Sequence, residues 1–557
     1  MGFLGILEYD KLDHVPATVL LTDRPRIGEI TSSNAPLKHG TGKNADIVLV
    51  PQPSDDPNDP LNWTTMKKLT TILIVIFGCT LYGAVIAPLL LSAVGVIARD
   101  FGKFIGTINN LSGYMLLVTS CMGPFVCAIS RKYGKRPVLL VSSLFAMIGT
   151  IVGSATSSYK GFLACRIIQG AAISAFESLG VAIIGDLIFL HHRGYFMTIF
   201  QFTLGVITNL TSIVTGPIAT NLGWKYLFHI MIAFSAFETI ILFLFVPETS
   251  YNRDPLYDID EAVAAHSLSM GNSSGKAQKV ETEICPESMS TSSPTPRSYP
   301  PKKTFTQELS LWSGQIYSHE PFYKLVLAPF LILTNLTVLW FVLITGGLAV
   351  LLVSTSMVTP QIFMAPPYSL NPAGIGYLST GPVVGGIVAS LLVGSTGDPL
   401  VKWCAGRNEG VYEPEYRLLG MLPSVVAGAG LVGFGYATQN GESVYVTATM
   451  LGITIFGIVA ASIAASAYIL DAFRSMSSEL FIMNMVSKNL VMYGFSTFVN
   501  EWMREEGPVR VFSIFGGVAW ALVVTTPVVF FWGKRYRGFW HGHNVLERLK
   551  IGTHAEF

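Results

Sequence analysis

Apolar residues run in long stretches along this chain, and charged residues gather in the gaps between them. No charged residue falls between Lys68 and Arg99, between Lys103 and Arg131, or between Arg136 and Lys160. A bilayer-crossing helix needs about 20 apolar residues, each adding about 1.5 Å across about 30 Å of hydrocarbon. Each gap therefore predicts one span. Helix 4 is predicted over 161–185, with Arg166 and Glu177 inside it; helix 5 fills the stretch between Gly194 and Gly223; helix 6 covers 226–246 and contains Glu238. The uncharged run from Lys324 to Asp398 is too long for one span, and Pro360, Pro366, Pro367 and Pro372 divide it into helices 7 and 8. Helices 9 to 12 are predicted over 418–438, 443–470, 480–500 and 511–532. These segments are apolar all round, whereas a soluble helix needs a polar face. The expected fold is an all-α membrane protein with twelve transmembrane helices in two six-helix halves.

The halves are expected over residues 67–249 and 322–533, with tails over 1–66 and 534–557. Between the halves, residues 250–321 include SLSMGNSSGKAQK and SMSTSSPTPRSYPPKK, too rich in Ser, Pro and Lys to bury a core, and are expected to form a disordered linker. Lys and Arg placement sets the orientation. With both termini on one side, that side holds 28 of the 36 basic residues and the other only 6. Both tails and the linker are therefore expected in the cytoplasm.

Composition agrees. Charged residues are 13% of the 557, against about 25% in soluble chains, and a net charge of +1 argues against nucleic acid as a partner. Six cysteines contain no C-x-x-C pair, so neither a disulfide framework nor a metal site is indicated. The opening MGFLGILEYD is interrupted by Glu8 and Asp10 and does not read as a signal peptide. No G-x-x-x-x-G-K-[ST] sequence occurs, so ATP hydrolysis is not indicated. No cofactor or metal is expected, and the absence of a nucleophile–base pair within the spans argues against an enzyme.

Polar residues inside the spans are the candidates for function, because ionisable groups there persist only beside partners or water-filled cavities. Glu177 follows Arg166 by eleven residues, which returns it to nearly the same helix face about 16 Å away along the axis. An Arg and a Glu on one stripe can couple proton movement to solute movement; equally, Arg166 can be a structural hydrogen-bonded group and Glu177 can face a neighbouring helix. Gln201, Gly205, Thr208 and Ser212 form a polar stripe that lines either a cavity or a helix contact. Glu238, Asn335, Asn484 and Lys488 complete the set. Lys488 can pair with Glu177 or Glu238, neutralise an anionic solute, or snorkel to the inner face.

Several motifs resemble the major facilitator superfamily over nearly all of the chain from about Asp55. SRKYGKRPV between helices 2 and 3 is similar to the family's G-x-x-x-D-R-x-G-R-R, with Gly134 at the turn and Lys135 and Arg136 after it. Arg131 stands in the place of the family's aspartate and Cys127 in that of its leading glycine. A second version, GSTGD, ends at Asp398. RIIQG, Arg166 to Gly170, matches R-x-x-Q-G and brings in Gln169. Gly216-Pro217 resembles the helix 5 antiporter motif, although Ser212, Thr220 and Asn221 replace its glycines. DDPNDPLNW, GWKYLFHI and PETSYNR resemble a fungal branch of drug:proton antiporters and histidinol and polyamine transporters. The resemblance implies a monomeric secondary transporter of the plasma membrane that moves a small organic solute by alternating access, coupled to protons. Export of a metabolite or drug-like compound is the reading preferred on family frequency; import of amines such as polyamines, and a non-transporting sensor, stand beside it. Arg166 and Gln169 of the motif, together with the intramembrane polar residues Glu177, Glu238, Asn335, Asn484 and Lys488, are expected to serve transport or coupling. Gly134, Lys135, Arg136, Gly216, Pro217 and Asp398 are the implied gating residues.

Overall fold

Backbone amides in hydrocarbon must be satisfied within their own segment, which leaves the helix as the form these apolar stretches take. A computed structural model describes residues 3–7, 9, 15, 17–20, 53–86, 88–251, 301–312, 314–408, 411–473 and 476–548. Among them, eleven helices are long and apolar enough to cross a membrane. The first half contains α1 (Thr65–Ile86), α2 (Ile105–Tyr133), α3 (Lys135–Ala155), α4 (Tyr159–Leu187), α5 (Leu190–Asn221) and α6 (Lys225–Phe245). The second contains α7 (Leu336–Phe363), α8 (Pro372–Arg407), α9 (Pro414–Gln439) and α10 (Val444–Ala472), followed by the stretch Glu479–His541. That stretch is 63 residues long, about three times what one crossing requires. Gly507 breaks it, with φ 77° and ψ 167°, a left-handed conformation that favours glycine. The following Pro508 starts the second arm. We treat the arms as α11 (479–506) and α12 (508–541), giving two halves of six spans.

Each half has its own apolar core. Phe162, Phe176 and Phe228 are fully buried in the first, and Phe341, Phe434 and Phe512 in the second. Large apolar side chains that remain exposed cluster on outward walls, as on α3 (Val141, Phe145, Ile148) and α6 (Phe234, Phe237, Ile240), where lipid is their natural solvent.

The first helix of each half is not a regular α-helix throughout. Thr80–Ile86 in α1 and Val342–Gly346 in α7 are π-helical, a widening that recurs at functional sites.

Two segments cross between the halves. Residues near the amino terminus, which precede α1, lie on the second half. Ile6 is fully buried, the Leu7 N–H donates to the Phe531 carbonyl (3.0 Å), and Val19–Leu20 pairs antiparallel with Val411–Tyr412. Residues 301–317, which lead into α7, lie on the first half: Glu308 meets Lys67 (2.6 Å) and the Tyr317 N–H donates to the Lys132 carbonyl (3.1 Å). A disordered linker was expected over 250–321. Residues 252–300 lie outside the described residues, and the remainder corrects the expectation. The Ser/Pro/Lys-rich run ends at Lys303, after which Glu308, Leu309 and Tyr317 fix the chain to the first half through Lys67, Arg136 and Lys132.

Candidate functional site

Glu177 of α4 and Lys488 of α11 form an ion pair that joins the two halves. Asn489 Nδ2 donates to the second carboxylate oxygen, Oε2, at 3.1 Å. The pair keeps 18% and 25% of its side-chain surface accessible. One turn before Lys488, Asn484 Oδ1 accepts from the Thr345 hydroxyl (3.0 Å) in the π segment of α7. Gly346 lies beside this contact, where a Cβ would meet Lys488 Cβ and Asn484 Oδ1 at ordinary contact distance (3.4 and 3.5 Å). Of the options open to Lys488, the structure gives pairing with Glu177.

Arg166 does not meet Glu177. It is fully buried, and Nη1 donates to the Ile86 carbonyl (3.0 Å) and to Gln169 Oε1 (3.2 Å). Ile86 closes the π segment of α1, so the guanidinium takes up a carbonyl that the helix end leaves without an intrahelical donor. Gln169 in turn donates to Thr150 of α3 (3.3 Å). Gly170 completes the motif by close approach: a Cβ there would stand 2.4 Å from the Met115 carbonyl oxygen of α2.

Glu238 is fully buried, and Oε2 accepts from the Tyr82 hydroxyl (2.8 Å) in the same π segment. It ties α6 to α1 and does not reach Lys488. Asn335, expected to serve transport, instead caps α7. Its side chain accepts from the Thr337 and Val338 amides (2.9 and 3.3 Å), satisfying donors that a helix N-terminus leaves free.

The gating residues divide in the same way. Gly134, at φ 102°, turns the chain from α2 into α3, and a Cβ there would sit 2.2 Å from the Glu248 carboxylate. That carboxylate accepts from the Lys135 and Arg136 amides (2.9 and 3.1 Å), where the α3 dipole favours an anion. Lys135 Nζ pairs with Asp186 at the end of α4 (2.7 Å). Arg136 donates to the Phe243 and Val246 carbonyls at the end of α6 (both 2.9 Å) and to the Glu308 and Leu309 carbonyls of the crossing segment (2.5 and 3.1 Å). Arg131, in the place where the motif has an acid, pairs with Glu479 of α11. Asp398 lies within α8 rather than in a loop, 62% exposed, and faces Arg417 of its own half at 3.4 Å. The helix runs on to Arg407 because PLVKWCA keeps supplying apolar residues after Asp398.

At the opposite end of the spans, Gly216 of α5 packs on α8. A Cβ at Gly216 would lie 2.6 Å from the Pro372 carbonyl oxygen, and one at Gly376 would lie 2.4 Å from that of Ser212. Pro217 follows within the helix. Beside this contact lies a cavity between the halves, bounded among others by Ser92, Thr208, Ser212, Thr355 and Thr454. All its lining side chains are uncharged. The stripe on α5 therefore splits: Thr208 and Ser212 line the cavity, while Gln201 donates to Ser466 of α10 (3.3 Å). Sequence reasoning missed Glu479, Asn489, Tyr82, Asp186 and Glu248 as partners of the candidate residues. Glu248 and Glu479 each stand just beside a span end, which was the available signal.

The family model described as Major Facilitator Superfamily matches residues 69–493. The chain belongs to that superfamily. As a major facilitator it is a multi-pass membrane protein and a secondary transporter of small solutes. An uncharacterized MFS-type transporter of Schizosaccharomyces pombe is 25% identical, over 94% of this chain and 93% of its own. Protein HOL1 of Saccharomyces cerevisiae is 20% identical, over 97% and 98%. Among solved structures, the xylose transporter XylE from E. coli superposes with a TM-score of 0.54 at 15% identity, covering 83% of this chain and 99% of that one. It shares the major facilitator fold.

Proposed function

We propose that this major facilitator is a proton-coupled exporter of a small organic solute, switched at the Glu177–Lys488 pair. The observation that carries the reading is an accessible ion pair joining the two halves of a transporter beside a buried donor, Asn489. With Glu177 ionised, the pair holds α4 to α11. Protonation removes its charge, releases Lys488 and lets the halves rock about the space between them. A solute bearing an amine competes with Lys488 for the carboxylate, and a proton competes with both. That competition produces antiport, with the proton gradient driving solute out. The molecule works as a monomer in the plasma membrane with both termini cytoplasmic.

A second reading, proton-coupled import of amines, draws on α5, where only Gly216-Pro217 of the antiporter motif is present. Imposing a pH gradient of either sign on oriented proteoliposomes separates the two. Replacing Glu177 by Gln removes the titrating group while preserving its shape; we expect solute flux to lose its dependence on pH. Flux by Glu177→Gln that still follows pH sinks the assignment of this residue. Binding without flux in the parent protein identifies a sensor instead.

A further inference from the structure

Among the exposed bulky apolar side chains outside the spans, four gather in one short segment. Phe305, Leu311, Trp312 and Ile316 expose 57%, 61%, 50% and 46% of their surface, and all belong to the crossing segment 301–317. Its course is fixed by contacts with the first half. The Lys303 N–H donates to Asn58 Oδ1 (2.9 Å), Glu308 meets Lys67 at the start of α1, and Trp312 packs edge-on against Tyr133 at the end of α2 (6.3 Å). Arg136 holds the segment and the end of α6 with one guanidinium. The segment therefore passes the ends of α3 and α6, whose outer walls carry exposed Val141, Phe145, Phe234 and Phe237. Those walls face acyl chains, so the segment lies where hydrocarbon gives way to headgroups.

Aromatic side chains are enriched at that level, and basic residues beside it are drawn to anionic lipid. Lys302 and Lys303 are exposed at the head of the segment. The segment's one acid, Glu308, is offset by Lys67, and Glu320 just beyond the segment is offset by Lys324 (3.9 Å). We propose that residues 301–317 are an interfacial anchor, with Phe305, Leu311, Trp312 and Ile316 inserted among headgroups and Lys302 and Lys303 holding anionic phospholipid. The inference rests on the membrane-spanning fold and not on coupling at Glu177.

The test uses the full chain carrying Leu311→Cys in a background with Cys121→Ser and Cys285→Ser, labelled with an environment-sensitive fluorophore. It is reconstituted in nanodiscs of phosphatidylcholine with or without phosphatidylserine, where both leaflets are alike and sidedness plays no part. Nitroxides at headgroup depth should quench the label several-fold more than aqueous iodide does. Phosphatidylserine should strengthen the headgroup quenching, and Lys302→Glu with Lys303→Glu should abolish that gain. Iodide quenching equal to that of the free dye places the surface in water and overturns the proposal. Shielding from both quenchers means that protein covers it, which overturns it equally. A phosphatidylserine effect that survives the charge reversal overturns the role of the lysines.

Discussion

At the end of the spans that carries Gly134, the two halves repeat one arrangement and then depart from it. In the first half the base opening α3, Lys135, pairs with the acid closing α4, Asp186. In the second the base opening α9, Arg417, pairs with the acid closing α10, Asp471. Position and polarity are the same. The departure comes one helix earlier. Arg131, ending α2, reaches across to Glu479 of the other half, and their side chains keep only 5% and 2% of their surface accessible. Asp398, near the end of α8, stays 62% exposed and meets Arg417 within its own half. Breaking a desolvated pair leaves a buried charge, whereas an exposed pair contributes little. The α2–α11 clasp therefore carries far more of the contact between the halves at this end than Asp398 does. Its sign is also reversed: the motif that SRKYGKRPV resembles places an acid where this chain has Arg131.

Reversing one member of the strong pair is the sharpest way to break this contrast. Arg131→Glu should cost about 3–5 kcal/mol in the clasped state, seen as a large fall in the unfolding midpoint in detergent. The exchange Arg131→Glu with Glu479→Arg should recover most of it. No recovery would mean that the pair matters only for packing. Next comes the far end of the spans, where α5 and α8 touch through glycine. Gly216→Val drives a side chain against the Pro372 carbonyl and should cost about 1–3 kcal/mol as overpacking does; an unchanged midpoint together with unchanged flux would remove the contact from the closure. Asn335→Ala should cost about 1 kcal/mol through the lost α7 cap, and Asn335→Asp should restore it. A residue that served transport rather than capping would instead alter flux at constant stability. Smallest of all, Asp398→Ala should shift stability by less than about 0.5 kcal/mol. A loss approaching that of Arg131→Glu would erase the asymmetry between the halves.

The spans were legible because a membrane helix writes itself as an unbroken apolar stretch; the expected bounds of helices 4, 5, 6, 9 and 10 fall within four residues of the observed ones, whereas α12 runs nine residues past the expected end at Trp532. R-x-x-Q-G was legible as a motif; its target was not. Arg166 reaches a carbonyl 80 residues away, and Asn489 reaches an acid 312 residues away. Such contacts leave no periodic trace along the chain. Hydropathy also cannot separate a polar side chain that lines a path from one that closes a helix end. Asn335 was therefore grouped with Asn484, although Asn directly before an apolar run is an N-cap signal. Composition likewise misplaced the end of the linker, because FTQELSLW is too short to alter an average dominated by Ser and Pro.

The crossing of the amino-terminal residues and of 301–317 means that neither bundle is a self-sufficient piece. If the gene were cut after α6 and its fragments produced separately, each fragment would be born without the strip that covers its own rim, and would find it only on the other. Assembly of such a severed transporter should thus depend on an exchange of these strips as well as on contacts between spans, and a fragment made alone should fare worse than its buried aromatic core suggests.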